Sequence, residues 1–133
     1  CSFVDTDEVI EERYKKSPGD IIKEYGEAEF RTRETQVLAD ITKQNGQVIS
    51  TGGGIVTIPE NLSILRQNSV VVFLYRDIDK LPTNGRPLSQ SRSPEILWEQ
   101  RKDFYYSWSN FVVENIEGKD GIAKTAEAVL DKV

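Results

Sequence analysis

Two carboxylates stand one residue apart near the start of the chain, where Phe3-Val4 leads into Asp5-Thr6-Asp7. Mg²⁺ prefers oxygen ligands and retains bound waters. One carboxylate could therefore hold a magnesium-bound water while the other accepts a hydrogen bond from a substrate hydroxyl. Asp is also a favoured helix N-cap, so one of the pair could simply cap the helix that follows. Both interpretations stay open from these residues alone.

A run of three glycines, residues 52–54, directly follows a short β-type run at residues 47–50 and Thr51. Without side chains in the way, backbone N–H groups of such a run can approach a ligand closely. The alternative is a flexible turn, and for a glycine triplet taken in isolation the turn is the better interpretation.

Three arginines stand where a cation could meet an anionic ligand. Arg31 lies three residues before Glu34 on a predicted helix, and this spacing places the carboxylate where it can orient the guanidinium. A surface ion pair, worth about 0.3–0.5 kcal/mol, is the alternative. Arg86 lies in a polar loop that could close over a phosphate, although a solvated loop arginine is the alternative. The side chain of Arg101, on a predicted helix, could enter a cleft or point into water.

Composition excludes several kinds of chemistry. The 133 residues contain no histidine and one cysteine. The sequence therefore cannot form an intrachain disulfide, a Cys/His zinc cluster or a Ser-His-Asp triad. The net charge is −5, from 17 basic and 22 acidic side chains, so we expect no nucleic-acid partner. No apolar run approaches the roughly 20 residues that span a bilayer, so we expect no membrane partner. We also expect a cytoplasmic, monomeric protein.

Strand-like and helix-like patterns alternate along the sequence. A parallel strand pair needs a crossover connection, so this alternation predicts an α/β fold with a parallel sheet wrapped by helices. We expect one domain over residues 1–133, with a lid loop at residues 77–92. The predicted strands are residues 3–4, 47–50, 70–75 and 111–113, and the third, a continuous apolar run, is typical of a buried strand. The predicted helices follow Asp7 and then cover approximately residues 21–25, 30–41, 59–68, 94–108 and 121–133.

Taken in order, these pieces resemble the shikimate kinase family. Each piece is weak alone, but the ordered set is specific and covers nearly the whole chain. The resemblance implies a P-loop kinase-like three-layer sandwich that transfers the γ-phosphoryl group of ATP to the 3-hydroxyl of shikimate, in aromatic amino acid biosynthesis. The segments that carry it are Phe3-Val4-Asp5-Thr6-Asp7 with Ile10-Glu11, Gly26-Glu27-x-x-Phe30-Arg31-x-x-Glu34, Gly52-Gly53-Gly54, Arg86-Pro87-Leu88 and Arg101-x-x-x-Tyr105.

The resemblance also implies roles in phosphoryl transfer. Asp7 would bind the substrate hydroxyls and help orient or deprotonate the attacking one. Asp5 would hold Mg²⁺ through water, and Gly53 would touch a ring hydroxyl. Arg86 would contact the nucleotide and stabilise charge on the transferring phosphoryl group after lid closure.

A second set of implied roles concerns the substrate carboxylate. Arg31, Arg101 and the backbone N–H of Gly54 would clamp it, and Glu34 would orient the Arg31 guanidinium. Guanidinium groups recognise carboxylates through paired hydrogen bonds, which suits this assignment.

One family feature is missing from the sequence. Shikimate kinases resemble other P-loop kinases in having a strand and Gly-x-x-x-x-Gly-Lys-Ser/Thr before the Asp-x-Asp stretch. Here Gly52–Gly54 is followed by Ile55-Val56 and cannot serve as that loop. We expect the sequence to be a piece of a longer kinase, inactive by itself, with two strand edges left unpaired. The alternatives are a catalytically silent module that binds a shikimate-like acid and a related enzyme such as gluconate kinase.

Overall fold

The computed structural model describes residues 2–75, 93–114 and 126–130. The chain divides into two compact units, Cys1–Ser69 and Val70–Val133, and each is described by itself. The expected lid at residues 77–92, with Arg86, lies outside the described residues. The expectation of one domain over the whole chain stays a prediction.

The first unit places three consecutive helices after its first strand. Strand β1 pairs in parallel with β2, from Ser2 opposite Gln47 to Asp5 opposite Ser50. The carboxyl ends of the two strands therefore meet at one edge of the sheet. The elements are β1 (Ser2–Asp5), α1 (Thr6–Tyr14), α2 (Pro18–Tyr25), α3 (Glu27–Ile41), β2 (Gln47–Ser50), a turn of 3₁₀-helix (Gly53–Thr57) and α4 (Pro59–Asn68).

Local signals explain where these helices begin and end. The Ser17 hydroxyl caps α2 by accepting from the Asp20 N–H at 3.2 Å, and Pro18 occupies the first turn, where no N–H is needed. Gly26 ends α2 and starts α3 with φ +91° and ψ 166°, a conformation almost confined to glycine. This residue turns the chain sharply between the two helices and so sets the direction of α3.

Helix α3 lies at the centre of the apolar core of the first unit. Its Phe30, Val37 and Ile41 pack with Ile10 of α1 and Ile21 of α2, and all five side chains are buried. Burying each large apolar side chain contributes roughly 1.5–3 kcal/mol to folding. The face of α3 next to this core is consequently held rigidly.

Polar contacts join the same helices at their outer surface. The Arg33 guanidinium lies over the rings of both Tyr14 and Tyr25, 4.7 Å from each centroid. Arg13 donates a 2.9 Å hydrogen bond to Asp40, and this bond lowers the pKa of the Asp40 carboxyl below its ordinary value. These cation–π and ionic contacts fix α1 and α2 against α3.

The second unit contains a parallel strand pair and one long described helix. Its elements are β3 (Val72–Tyr75), α5 (Pro94–Trp108) and β4 (Phe111–Glu114), and residues 126–130 are helical. Val72 lies opposite Phe111 and Tyr75 opposite Glu114. The ring of Phe73 packs against Tyr105 and Tyr106 of α5, with 5.2 Å between centroids in each case.

The predicted α/β class with parallel strands is confirmed. Within the described residues the four strands form two separate two-stranded sheets.

The prediction of a buried strand over residues 70–75 is wrong in detail, because the strand starts at Val72 and Leu74 is 48% exposed. A continuous apolar run indicates two covered faces, and the exposure of Leu74 shows that its face of the strand is not covered by the described residues. Among the described helices, none is long and apolar enough to cross a membrane.

Replacing Gly26 by alanine tests whether this junction positions α3. We expect Gly26→Ala to lower the free energy of unfolding by about 1–3 kcal/mol, because a Cβ disfavours the observed backbone angles. Urea denaturation measures the change. Lys15→Gly is the control, since Lys15 has φ 58° and glycine relieves that conformation; its stability should be unchanged or higher by up to about 1 kcal/mol. A stable Gly26→Ala protein would contradict the assigned role.

Candidate functional site

The carboxyl ends of β1 and β2 bring two sequence motifs to one sheet edge. Asp5, the last residue of β1, lies opposite Ser50, the last residue of β2. The Asp5-Thr6-Asp7 stretch and the segment that leads to the glycines at 52–54 therefore start from neighbouring strand ends. In open parallel sheets, ligands bind outside the carboxyl ends of strands, so this edge is the candidate site.

Asp5 is the N-cap of α1. Its Oδ1 accepts hydrogen bonds from the N–H groups of Asp7, at 2.9 Å, and Glu8, at 3.3 Å. The helix-capping alternative therefore holds for Asp5. Both bonds use Oδ1, which leaves Oδ2 for another ligand, and the Asp7 side chain is exposed in the first turn.

Arg31 and Glu34 form a buried ion pair. Arg31 Nη1 donates to Glu34 Oε1 at 2.9 Å, and the two side chains are 7% and 1% exposed. The surface-pair alternative is therefore wrong. Glu27 Oε1 lies 3.7 Å from Arg31 Nη2 on the rim of the same group.

The Arg31 Nε–H is buried with no hydrogen-bond acceptor among the described residues. A buried cationic donor without an acceptor indicates a place for an anionic ligand.

The glycine turn packs directly against this pair. A Cβ built on Gly54 would overlap the Arg31 guanidinium, whereas one built on Gly52 would lie 3.8 Å from Glu34 Oε2, an ordinary contact. The turn is held by the Thr57 hydroxyl, which donates to the Gly54 carbonyl at 2.7 Å. The triplet thus forms a turn, as expected for glycines in isolation, but a packed one in which position 54 has no room for a side chain.

The remaining predicted residues are Gly53, Arg101 and Arg86. Gly53 is exposed at the start of the turn. Arg101, on α5 in the second unit, is 6% exposed, so its head does not point into water. Its Nη2 has no hydrogen-bond partner within the described part of the chain. Arg86 lies outside the described residues.

The sequence patterns did not single out Asn61 and Thr35, two polar residues that connect the glycine turn to α3. Asn61 is completely buried and bonds to Thr35 and to the carbonyl of Ile55. The available signal was spacing, because Asn61 is four residues before Leu65, the other buried residue of α4. A polar residue on the buried face of a helix needs partners there.

The described residues offer limited ligands for a metal. They contain no group of three or more His, Cys, Asp or Glu side chains that could hold an ion. Mg²⁺, however, is commonly bound through one or two carboxylates, waters and substrate phosphates. Asp5 Oδ2 fits that mode of binding through water.

Parallel strands followed by helices, with a buried guanidinium packed against the turn that follows β2, define an α/β protein with a cationic candidate site. A family model described as shikimate kinase matches residues 1–133. The chain therefore belongs to the shikimate kinase family, as the ordered motifs predict.

Curated relatives agree with this placement. A shikimate kinase of Burkholderia lata is 38% identical over 122 residues, which cover 85% of this chain and 66% of the relative. A shikimate kinase of Enterococcus faecalis is 37% identical over 121 residues, covering 84% and 71%. One from Synechococcus elongatus is 42% identical over 113 residues, covering 78% and 59%. The chain thus spans about two thirds of the length of these relatives.

Solved structures show the same fold. The shikimate kinase from Acinetobacter baumannii in complex with shikimate matches 98% of this chain and 79% of its own, with a TM-score of 0.84 and 30% identity. The shikimate kinase from Bacteroides thetaiotaomicron matches 98% and 82%, with a TM-score of 0.83 and 26% identity.

The contact between Gly54 and Arg31 gives a matched pair of substitutions. We expect Gly54→Ala to lower the free energy of unfolding by about 1–3 kcal/mol, because the methyl group displaces a buried guanidinium. Gly52→Ala should change it by less than about 0.5 kcal/mol, since φ is −70° and its Cβ has room. Urea denaturation of both variants tests this difference, and equal stabilities would contradict the packing described for position 54.

Proposed function

We propose that this protein phosphorylates the 3-hydroxyl of shikimate with the γ-phosphoryl group of ATP, the substrate that its family implies. The observation that carries the proposal is the buried Arg31, which Glu34 holds against Gly54 and whose buried Nε–H has no acceptor among the described residues. The 30% identical protein from Acinetobacter baumannii is known in complex with shikimate, a carboxylic acid, which supports the same substrate here.

Recognition of the carboxylate follows from the guanidinium geometry. Arg31 uses Nη1 to bind Glu34, and Glu27 lies 3.7 Å from Nη2, so the Nε–H is the donor proposed for a substrate carboxylate. Charge-assisted bonds of this kind are stronger than neutral ones. The backbone N–H of Gly54 is proposed as a further donor, and Glu34 as the residue that orients Arg31. The family motif alone assigns the same role to Arg101, and its buried, unpartnered Nη2 is compatible with it.

Chemistry at the hydroxyl is proposed for the first turn of α1. The oxygen of the 3-hydroxyl attacks the γ-phosphorus as the bond to the ADP oxygen breaks, and its proton passes to the Asp7 carboxylate. Gly53 is proposed to contact a ring hydroxyl. Much of a kinase's rate comes from positioning the acceptor in line with the phosphate. Shikimate held by its carboxylate and its hydroxyls meets that requirement.

Magnesium and the lid complete the proposed reaction. Asp5 Oδ2 would hold Mg²⁺ through water, and the ion would neutralise charge on the ATP phosphates. Arg86 is proposed to contact the nucleotide and the transferring phosphoryl group. We further propose a cytoplasmic, monomeric protein.

Calorimetric titration of shikimate into the full-length natural protein tests the substrate. We expect Arg31→Ala to weaken binding by about 1.5–3 kcal/mol, or roughly 10- to 150-fold, because it removes a charged hydrogen-bond donor. Arg31→Lys keeps a charge beside Glu34 but loses the planar fork, and it should also weaken binding. Arg66→Ala removes an exposed arginine of the same unit and should bind normally. Absence of shikimate binding by the folded protein, or binding of gluconate in its place, would refute the assignment.

Coupled measurement of ADP formation tests the role of Asp7. We expect Asp7→Asn to lower kcat by about 100- to 10,000-fold, the usual contribution of a positioned acid or base. Glu8→Gln, which removes the neighbouring exposed carboxylate, should retain normal turnover. Unchanged turnover by Asp7→Asn would remove Asp7 from the mechanism. Shikimate binding without any ADP formation in the unsubstituted protein would support the silent binding module instead.

A further inference from the structure

Asn61 is a buried amide that connects the glycine turn to helix α3. Its Nδ2 donates to the Ile55 carbonyl at 2.9 Å, and its Oδ1 accepts from the Thr35 hydroxyl at 2.8 Å. Ile55 directly follows Gly54, and Thr35 directly follows Glu34. The Asn61 side chain therefore links the residue after Gly54 to the residue after Glu34. Gly54 and Glu34 both pack against the Arg31 guanidinium.

We propose that Asn61 and Thr35 are positioning residues that set the affinity of the site for the shikimate carboxylate. This inference rests on the proposed function. The two residues do not touch the ligand; they fix the turn that bears Gly54 at one distance from the guanidinium of Arg31. Because a Cβ at position 54 would already overlap that guanidinium, the tolerance for movement of the turn is small.

The beginning of α4 is fixed by its backbone as well as by the amide. Pro59 occupies the first turn, and the Asn61 N–H donates to the Ile58 carbonyl at 3.0 Å. The amide thus projects from a defined helix start, and both its donor and its acceptor functions are used. A buried amide bonded through both its nitrogen and its oxygen specifies orientation in a way that an apolar side chain of the same size does not.

A purely structural role makes a different prediction from a positioning role. If the amide only satisfied buried polar groups, breaking its bond to Thr35 would lower stability and leave substrate affinity unchanged. If it positions Gly54, the same change shifts the turn and raises KM for shikimate. The two readouts, stability and KM, therefore separate the possibilities.

Substitutions at Thr35 and Thr42 form the matched test. Thr35→Val keeps the side-chain shape but removes the hydroxyl that binds Asn61, whereas Thr35→Ser retains it. Thr42 lies at the end of the same helix, is buried, and donates its hydroxyl to the Leu38 carbonyl at 2.9 Å. Thr42→Val therefore removes a hydroxyl hydrogen bond of similar length on the same helix, away from the glycine turn.

Steady-state kinetics and thermal unfolding of the full-length natural protein are measured for each variant. We expect Thr35→Val to raise KM for shikimate about 5- to 10-fold, the equivalent of one hydrogen bond, with kcat within about twofold. Thr35→Ser should restore the original KM. Thr42→Val should lower the melting temperature like Thr35→Val but leave KM unchanged. Asn61→Asp, which loses the donor to Ile55, should raise KM further.

Equal KM values for Thr35→Val and Thr42→Val, at matched loss of stability, would overturn the positioning role and leave the proposed function intact. Failure of the unsubstituted protein to bind or phosphorylate shikimate would overturn both. These two results are distinguishable because the second appears before any substitution is made.

Discussion

The ion pair between Arg31 and Glu34 constrains the rest of the first unit. Two charges removed from water are tolerated only when they are close, well oriented and hydrogen-bonded. Glu34 meets this condition at Nη1 of the guanidinium, whereas the buried Nε–H has no acceptor among the described residues. The surrounding chain therefore has to keep water away from the pair. Gly54 does so by bringing backbone, with no side chain, against the guanidinium.

Helix α3 carries both members of this pair and is anchored on two sides. Its apolar face supplies Phe30 and Val37 to the core, and Arg33 is held between two tyrosine rings at the outer surface. The sharp turn at Gly26 sets the direction in which α3 leaves α2. A small rotation of α3 would separate the guanidinium from the glycine turn, so these anchors serve the site as well as stability.

The first turn of α1 combines structural and chemical demands in a short segment. Asp5 ends β1 and caps the helix with one carboxylate oxygen, and Asp7 follows in the exposed first turn. Because the strand register puts Asp5 opposite Ser50, the same segment lies at the edge from which the glycines depart. Sheet pairing therefore places the hydroxyl-binding and carboxylate-binding candidates on one side of this unit.

The sequence by itself determined the α/β class, the family and most of the helix ends, since prolines and glycines act locally, as at Gly26 and Pro59. The starts of α2 at Pro18 and α3 at Glu27 each lie three residues before the first apolar residue from which those helices were predicted. The sequence also placed Arg31 beside Glu34, because helical spacing is a local property. Only the tertiary structure decided that this pair is buried, that Gly54 touches it and that Leu74 is half exposed. Burial depends on contacts between segments far apart in the chain, and local patterns do not specify them.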